Sequence, residues 1–154
     1  MVRHWLVKSE PHVYPWEQLV RDGLTHWDGV RNYQARNTMR DDMMIGDFVL
    51  FYHSNCKPPH VAGVAKVCRE GYADHTAQDV NSNYFDPKAS PENPRWIMVD
   101  IEAVEGMEST VSLPDMKANP NLDGMPLLAK GSRLSVQPVS GEHFTEVCRM
   151  GGLG

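Results

Sequence analysis

The sequence predicts an α+β protein: a small, strongly bent sheet or β-barrel of five to six strands with short helices on its periphery. Three observations predict it. Apolar runs of strand length recur at residues 4–7, 48–52, 61–72, 96–104 and 134–139. Helical spacing is confined to short stretches bounded by capping residues. The two kinds of segment do not alternate as a doubly wound parallel sheet requires. With 154 residues, 41% hydrophobic and 23% charged, residues 1–154 form one domain with a core that needs no staples.

The first strand is His4-Trp5-Leu6-Val7. It ends at Lys8-Ser9-Glu10-Pro11, because proline cannot continue a central strand. Pro15 suits the first position of a helix over 15–22. Trp16, Leu19 and Val20 share its spacing, and Gly23 stops it. Residues 25–30 read as a short strand or tight loop. Asn32 is a good N-cap for a helix over 33–43, with Ala35, Met39 and Met43 on one face and Arg36 and Arg40 on another. After the Gly46-Asp47 turn, Phe48 to Tyr52 is the most apolar strand, expected at the centre of the sheet. Val61 to Tyr72 follows, with a bulge at Gly63. Residues 73–94 are polar and broken by proline, and are expected to be a functional or mobile loop. Trp96 to Val104 alternates as a strand. Ser112 caps a short helix over 113–118, and Leu127-Leu128 are buried in a loop-like stretch. Leu134 to Val139 is the last strand, and Ser140 caps a final helix that ends at Gly151-Gly152.

The net charge is −5, and it is uneven. Residues 1–75 hold nine Lys/Arg and nine Asp/Glu; residues 76–154 hold six and eleven. A protein gripping long nucleic acid by its phosphates would show a basic surplus. Any nucleic-acid binding is therefore expected to be local, in a pocket or small patch of the first half. No apolar run reaches the roughly 18 residues of a membrane span, and no signal-peptide core follows Met1. Cys56, Cys68 and Cys148 are an odd set without framework spacing, which reads as reduced thiols in a cytoplasmic protein.

The chain has no phosphate-binding glycine loop, nucleophile elbow, His-Glu-x-x-His or Cys-x-x-Cys. His53, Cys56 and His60 match no zinc spacing, so neither metal nor cofactor is expected. Polar triplets at strand ends are more informative. Lys8-Ser9-Glu10 and His53-Ser54-Asn55 stand where they line one cleft if their strands run side by side; the plain alternative is an ordinary strand-to-loop transition. Trp27-Asp28-Gly29-Val30-Arg31-Asn32 sets an aromatic, an acid, an arginine and an amide before a helix. Trp27 is either a core residue or the stacking wall of a base pocket.

These segments resemble a known family. Trp5 to Pro11, Trp27 to Asn37, Gly46 to Asn55, and Asp86-Pro87-Lys88 with Pro94-Arg95-Trp96 are similar to the EVE domain family, which includes the thymocyte nuclear protein 1-like proteins. The resemblance covers essentially the whole chain. It implies a PUA-like fold and kinship with the YTH readers of methylated adenine. By that comparison Lys8-Ser9 matches a Lys-Ser pair ending the first YTH strand and Trp27-Asp28 a Trp-Ser pair, so that Trp27 would be one wall of a base cage, and Glu10 stands where YTH domains carry a base-contacting asparagine.

The expected function is capture of a modified base of DNA or RNA, single-stranded or flipped, in a pocket at the barrel mouth. The expected ligand-binding set is Lys8, Ser9, Glu10, Trp27, Asp28, Gly29, Val30, Arg31, Asn32, Arg36, Tyr52, His53 and Ser54. Trp27 would stack on the base. Ser9, Glu10, Asn32 or Ser54 would bond its edge, and Lys8, Arg31 and Arg36 would meet flanking phosphates. The competing expectation is an enzyme acting on a small molecule or nucleobase, with Glu10, His53 and Asp28 as acid–base groups.

Overall fold

The protein is described by a computed structural model covering residues 2–153. Six strands form one mixed sheet: β1 (His4–Ser9), β2 (Leu24–His26), β3 (Phe48–His53), β4 (His60–Ala73), β5 (Ile97–Ser112) and β6 (Val136–Val139). Four short helices surround it: α1 (Trp16–Asp22), α2 (Tyr33–Asp41), α3 (Leu113–Lys117) and α4 (Gly141–Met150). The strand order is β2-β5-β4-β3-β1-β6. This is the expected α+β class, but the sheet stays open, because β2 and β6 are its two edges and do not pair to close a barrel.

The bend comes from the two longest strands. Between β4 and β5 the register shifts four times, including at Val61/Gly63. The expected Gly63 position is also where β3 and β4 slip, between Phe51 and Tyr52. Each shift leaves an unpaired residue and increases the local twist. Gly63 has a second reason to lack a side chain: a Cβ there would lie 2.4 Å from the Trp16 ring, which sits across β4.

Alternation along the central strands divides the core in two. Trp5, Val7, Val49 and Phe51 point to one face, where Trp16, Leu19, Trp27, Ala35 and Met39 join them. Leu6, Leu50 and Tyr52 point to the other, against Met116, Leu122, Met125 and Val147.

The helix caps follow the sequence. The side chains of Asn32, Ser112 and Ser140 accept hydrogen bonds from the backbone N–H groups of Ala35, Asp115 and His143. Pro15 is the N-cap of α1 rather than its first residue. The strand expected over 96–104 runs on to Ser112, because β4 continues beside it. The polar segment 74–96 is tied down at several points: Asp86 N–H donates to the Ala77 carbonyl at 2.8 Å, and the Trp96 indole N–H to the Asp86 carboxylate at 2.8 Å. Among the described residues no helix is long and apolar enough to cross a membrane.

Candidate base-binding site

β1 and β3 run parallel and in register, Ser9 opposite His53. Parallel strands end at the same edge of a sheet, so the two polar triplets meet. The Ser54 N–H donates to the Ser9 carbonyl at 3.0 Å, and Asn55 Nδ2 to Glu10 Oε2 at 3.3 Å. The chain leaving β2 turns across this end, fixed by the Trp27 N–H on the Val99 carbonyl at 2.7 Å.

Between these loops lies a cavity of about 510 Å³, a size typical of small-molecule sites. β1 and the loop after it supply Lys8, Ser9, Glu10, Val13 and Tyr14. The β2 end and its loop supply residues 25–31, and Tyr84 and Ser135 complete the lining. Trp27 is core and wall at once. It is only 8% exposed and packs edge-on against Phe51, with ring centroids 5.5 Å apart, and against Tyr14 at 6.4 Å. Tyr84 is the exposed wall, lying flat over Gly29, where a Cβ would come 2.6 Å from its ring. Gly29 also has φ +75°, so both its backbone and its neighbour call for glycine.

Asp74, fully buried, clamps this arrangement. It accepts from the Gly29 N–H at 2.8 Å, from Arg31 Nη1 at 3.0 Å, and from the N–H and hydroxyl of Thr76. Burial alone would raise its pKa. The bonds from Thr76, Gly29 and Arg31 outweigh that and hold it below the usual carboxylate range. Arg31 also donates to the Tyr84 carbonyl at 2.7 Å, with its guanidinium 5.5 Å from the Tyr84 ring centroid and 5.3 Å from that of Trp96.

Asp28 is in the opposite condition. Burial, then the charge of Asp74, pushes its carboxyl above the usual range, against the weaker pull of His75 and His26. Lys8, whose Nζ lies 3.4 Å from the Ser132 carbonyl, is lowered by burial.

Of the expected residues, Lys8, Ser9, Glu10, Trp27, Asp28, Gly29, Val30 and Arg31 line the cavity; Asn32, Arg36, Tyr52, His53 and Ser54 do not. Each exclusion has a local cause. Asn32 spends its side chain capping α2. Arg36 donates to the Arg95 carbonyl at 2.9 Å and lies over the Tyr33 ring. Tyr52 falls on the opposite face of the sheet, where burial pushes its phenol up to about 12. His53, 4% exposed, accepts the Trp16 N–H on Nε2 at 3.2 Å and faces the Ser9 carbonyl with Nδ1 at 3.2 Å. That pair of bonds puts its proton on Nδ1, and burial lowers its pKa. It therefore holds α1 to β1. Arg31 lines the cavity but is committed to Asp74 and Tyr84, so it is not a free phosphate contact. Val13, Tyr14, Thr25, His26, Tyr84 and Ser135 were not foreseen. Tyr84 falls in the segment whose length and irregularity pointed to a functional loop, but nothing local singles it out. Among the described residues no group of three or more His, Cys, Asp or Glu is arranged to hold a metal.

An open, bent α+β sheet with an aromatic-walled cavity beyond the ends of its parallel strand pair defines a small ligand-binding module. The chain belongs to the EVE domain family, whose model matches residues 3–150. Human thymocyte nuclear protein 1 is 39% identical over 164 residues, covering 92% of this chain and 70% of that protein. A hypothetical protein from Leishmania major is similar in structure, with a TM-score of 0.92, 47% identity, and coverage of 99% of this chain and 96% of that one. The crystal structure of human THYN1 protein in complex with 5-methylcytosine-containing DNA superposes with a TM-score of 0.87, 39% identity, and 97% coverage of each chain. The YTH domain of Zygosaccharomyces rouxii MRB1, in complex with N6-methyladenosine RNA, shares the fold: its TM-score is 0.56 at 13% identity, with 97% of this chain and 86% of that one covered.

Proposed function

We propose that this chain binds, rather than transforms, a modified nucleobase of DNA or RNA, taken into the Trp27–Tyr84 cavity from a single strand or by flipping. The observation that carries this reading is the aromatic wall of Trp27, Tyr14 and Tyr84, in a chain 39% identical to a protein solved with 5-methylcytosine-containing DNA. Stacking on such walls contributes roughly 1–3 kcal/mol per base. Extracting a base from a paired duplex costs a few kcal/mol. The two nearly cancel, and a net charge of −5 adds no general phosphate attraction, so unpaired sites are favoured. An enzyme built on Glu10, His53 and Asp28 is disfavoured, because His53 lies outside the cavity with both ring nitrogens engaged.

A buried methyl is worth only about 0.8 kcal/mol, about fourfold in affinity, so stronger selectivity requires polar contacts to the base edge. The test is binding of single-stranded oligonucleotides with and without a modified cytosine at low salt. Tyr84→Ala removes an exposed wall and is expected to lower affinity with the fold intact. Trp27→Ala is the poorer probe, because Trp27 belongs to the core. Equal binding of modified, unmodified and abasic strands by wild type and Tyr84→Ala would refute base capture.

A further inference from the structure

Within the base-capture reading, the hydrogen-bonding groups around the cavity can be assigned by elimination. The Ser9 hydroxyl donates to the Tyr14 carbonyl at 2.6 Å. Glu10 is held by His12 at 3.0 Å and by Asn55. Asp74 is saturated. Among the described residues the Asp28 carboxyl takes no hydrogen bond from any other residue's side chain, although it lines the cavity. It is the acidic group left free to read a ligand.

We infer that the Asp28 carboxyl, in its protonated form, pairs with the edge of the captured base, donating to a ring nitrogen and accepting from the adjacent amino group. A protonated carboxyl offers one donor beside one acceptor, whereas a carboxylate only accepts. A cytosine-type edge sets the N3 acceptor beside the N4 amino donor. It fits the first form and is repelled by the second, whose oxygen faces the N3 lone pair. A guanine edge, with N1–H beside the N2 amino group, offers two donors and fits the carboxylate. Capture of a cytosine-type base is therefore coupled to uptake of one proton.

The surroundings favour this state. The fully buried Asp74 carboxylate opposes a second negative charge on Asp28, and Glu10 lines the same cavity. His75 and His26 pull the Asp28 carboxyl the other way, more weakly, and Asp100 engages His26 Nδ1 at 3.0 Å. Lys8 stands on β1, and Arg31 is neutralised by Asp74 at 3.0 Å. The phenols of Tyr14 and Tyr84 border the cavity, and burial raises that of Tyr14.

The probe is a labelled single strand of abasic residues carrying one 5-methylcytosine, with a second strand carrying one guanine instead. Wild-type affinity for the first should fall about tenfold per pH unit on the alkaline side of the Asp28 titration, as one-proton linkage requires. The guanine strand should show no such fall. Asp28→Asn keeps one donor and one acceptor at every pH, so it should bind the methylcytosine strand with no pH dependence. Asp28→Ala should lose roughly 5- to 150-fold for that strand, the range of a good bidentate base contact. A flat wild-type pH profile, or an Asp28→Asn profile as steep as wild type, overturns the inference while base capture stands. Failure of wild type to bind either strand more tightly than an all-abasic strand at any pH overturns base capture and this inference together.

Discussion

The two faces of the sheet are built from the same strands and do different work. Alternate residues of β1 and β3 supply both, yet one face holds Trp5, Trp16, Trp27 and Phe51, and the other holds mainly Leu, Val and Met under α3 and α4. Aliphatic chains and methionines adapt and fill space, and the second face is packed mainly with them. Large flat rings meeting edge to face leave angular space at the sheet's end, and the cavity opens there, bounded by Trp27, Tyr14 and Tyr84. Binding is thus a by-product of how one face packs, and stability is shared by both.

The sharpest way to break that comparison is a pair of neighbouring truncations. Phe51→Ala and Leu50→Ala remove fully buried side chains from opposite faces and should cost about 3–5 and 2–5 kcal/mol of stability in chemical denaturation. Base binding per folded molecule should collapse only for Phe51→Ala, which supports Trp27. Equal loss of binding in both would show that the faces are not independent.

Arg31→Ala comes next. Removing one partner of a buried pair costs about 3–5 kcal/mol; here the lower end is expected, because Thr76 and Gly29 still donate to Asp74. The Asp74 carboxyl has a depressed folded-state pKa, so its stabilisation is present above the unfolded value and lost as pH falls through the folded one. In Arg31→Ala the acid limb of the stability profile should move to higher pH. Amide exchange in residues 76–86 should quicken, while the salt dependence of oligonucleotide binding stays as in wild type. A flattened salt dependence would restore Arg31 as a phosphate contact.

Gly29→Ala should cost about 1–2 kcal/mol for the left-handed backbone and displace Tyr84, so binding drops more than Tm does. The smallest effect is expected of Asp28→Asn. A carboxyl whose folded pKa is raised destabilises the fold above that pKa, and the penalty disappears as pH falls through it. Asp28→Asn should raise Tm modestly at neutral pH and leave it unchanged in acid. A gain that persists in acid would trace to something other than the charge.

Much of this was legible along the chain. Caps at Asn32, Ser112 and Ser140, the bulge at Gly63, and the polar triplets that close the β1 and β3 runs all rest on short-range signals: a polar side chain before a helix, a glycine in a strand, polar residues closing apolar runs. What misled was residue type read without its partners. Arg31 looked like a phosphate contact because Asp74, its partner, lies 43 residues away. His53 looked available because its donor and acceptor roles are filled by Ser9 and Trp16, which come from other elements. Tyr52 stands in β3 beside the polar triplet that closes it, but a strand buried on both sides has no polar face to tell which residues reach the cavity.

The sequence by itself determined which segments become strands and helices, where they stop, and that the polar residues collect at strand ends, because backbone sterics, capping bonds and hydrophobic periodicity act within a few residues. Only the tertiary structure decided that β1 and β3 run parallel in register, that Tyr84 covers Gly29, and that Asp74 is satisfied while Asp28 is left free. Those outcomes depend on which buried donors and acceptors find one another across the fold, and a buried polar group takes whichever partner the packing brings within about 3 Å.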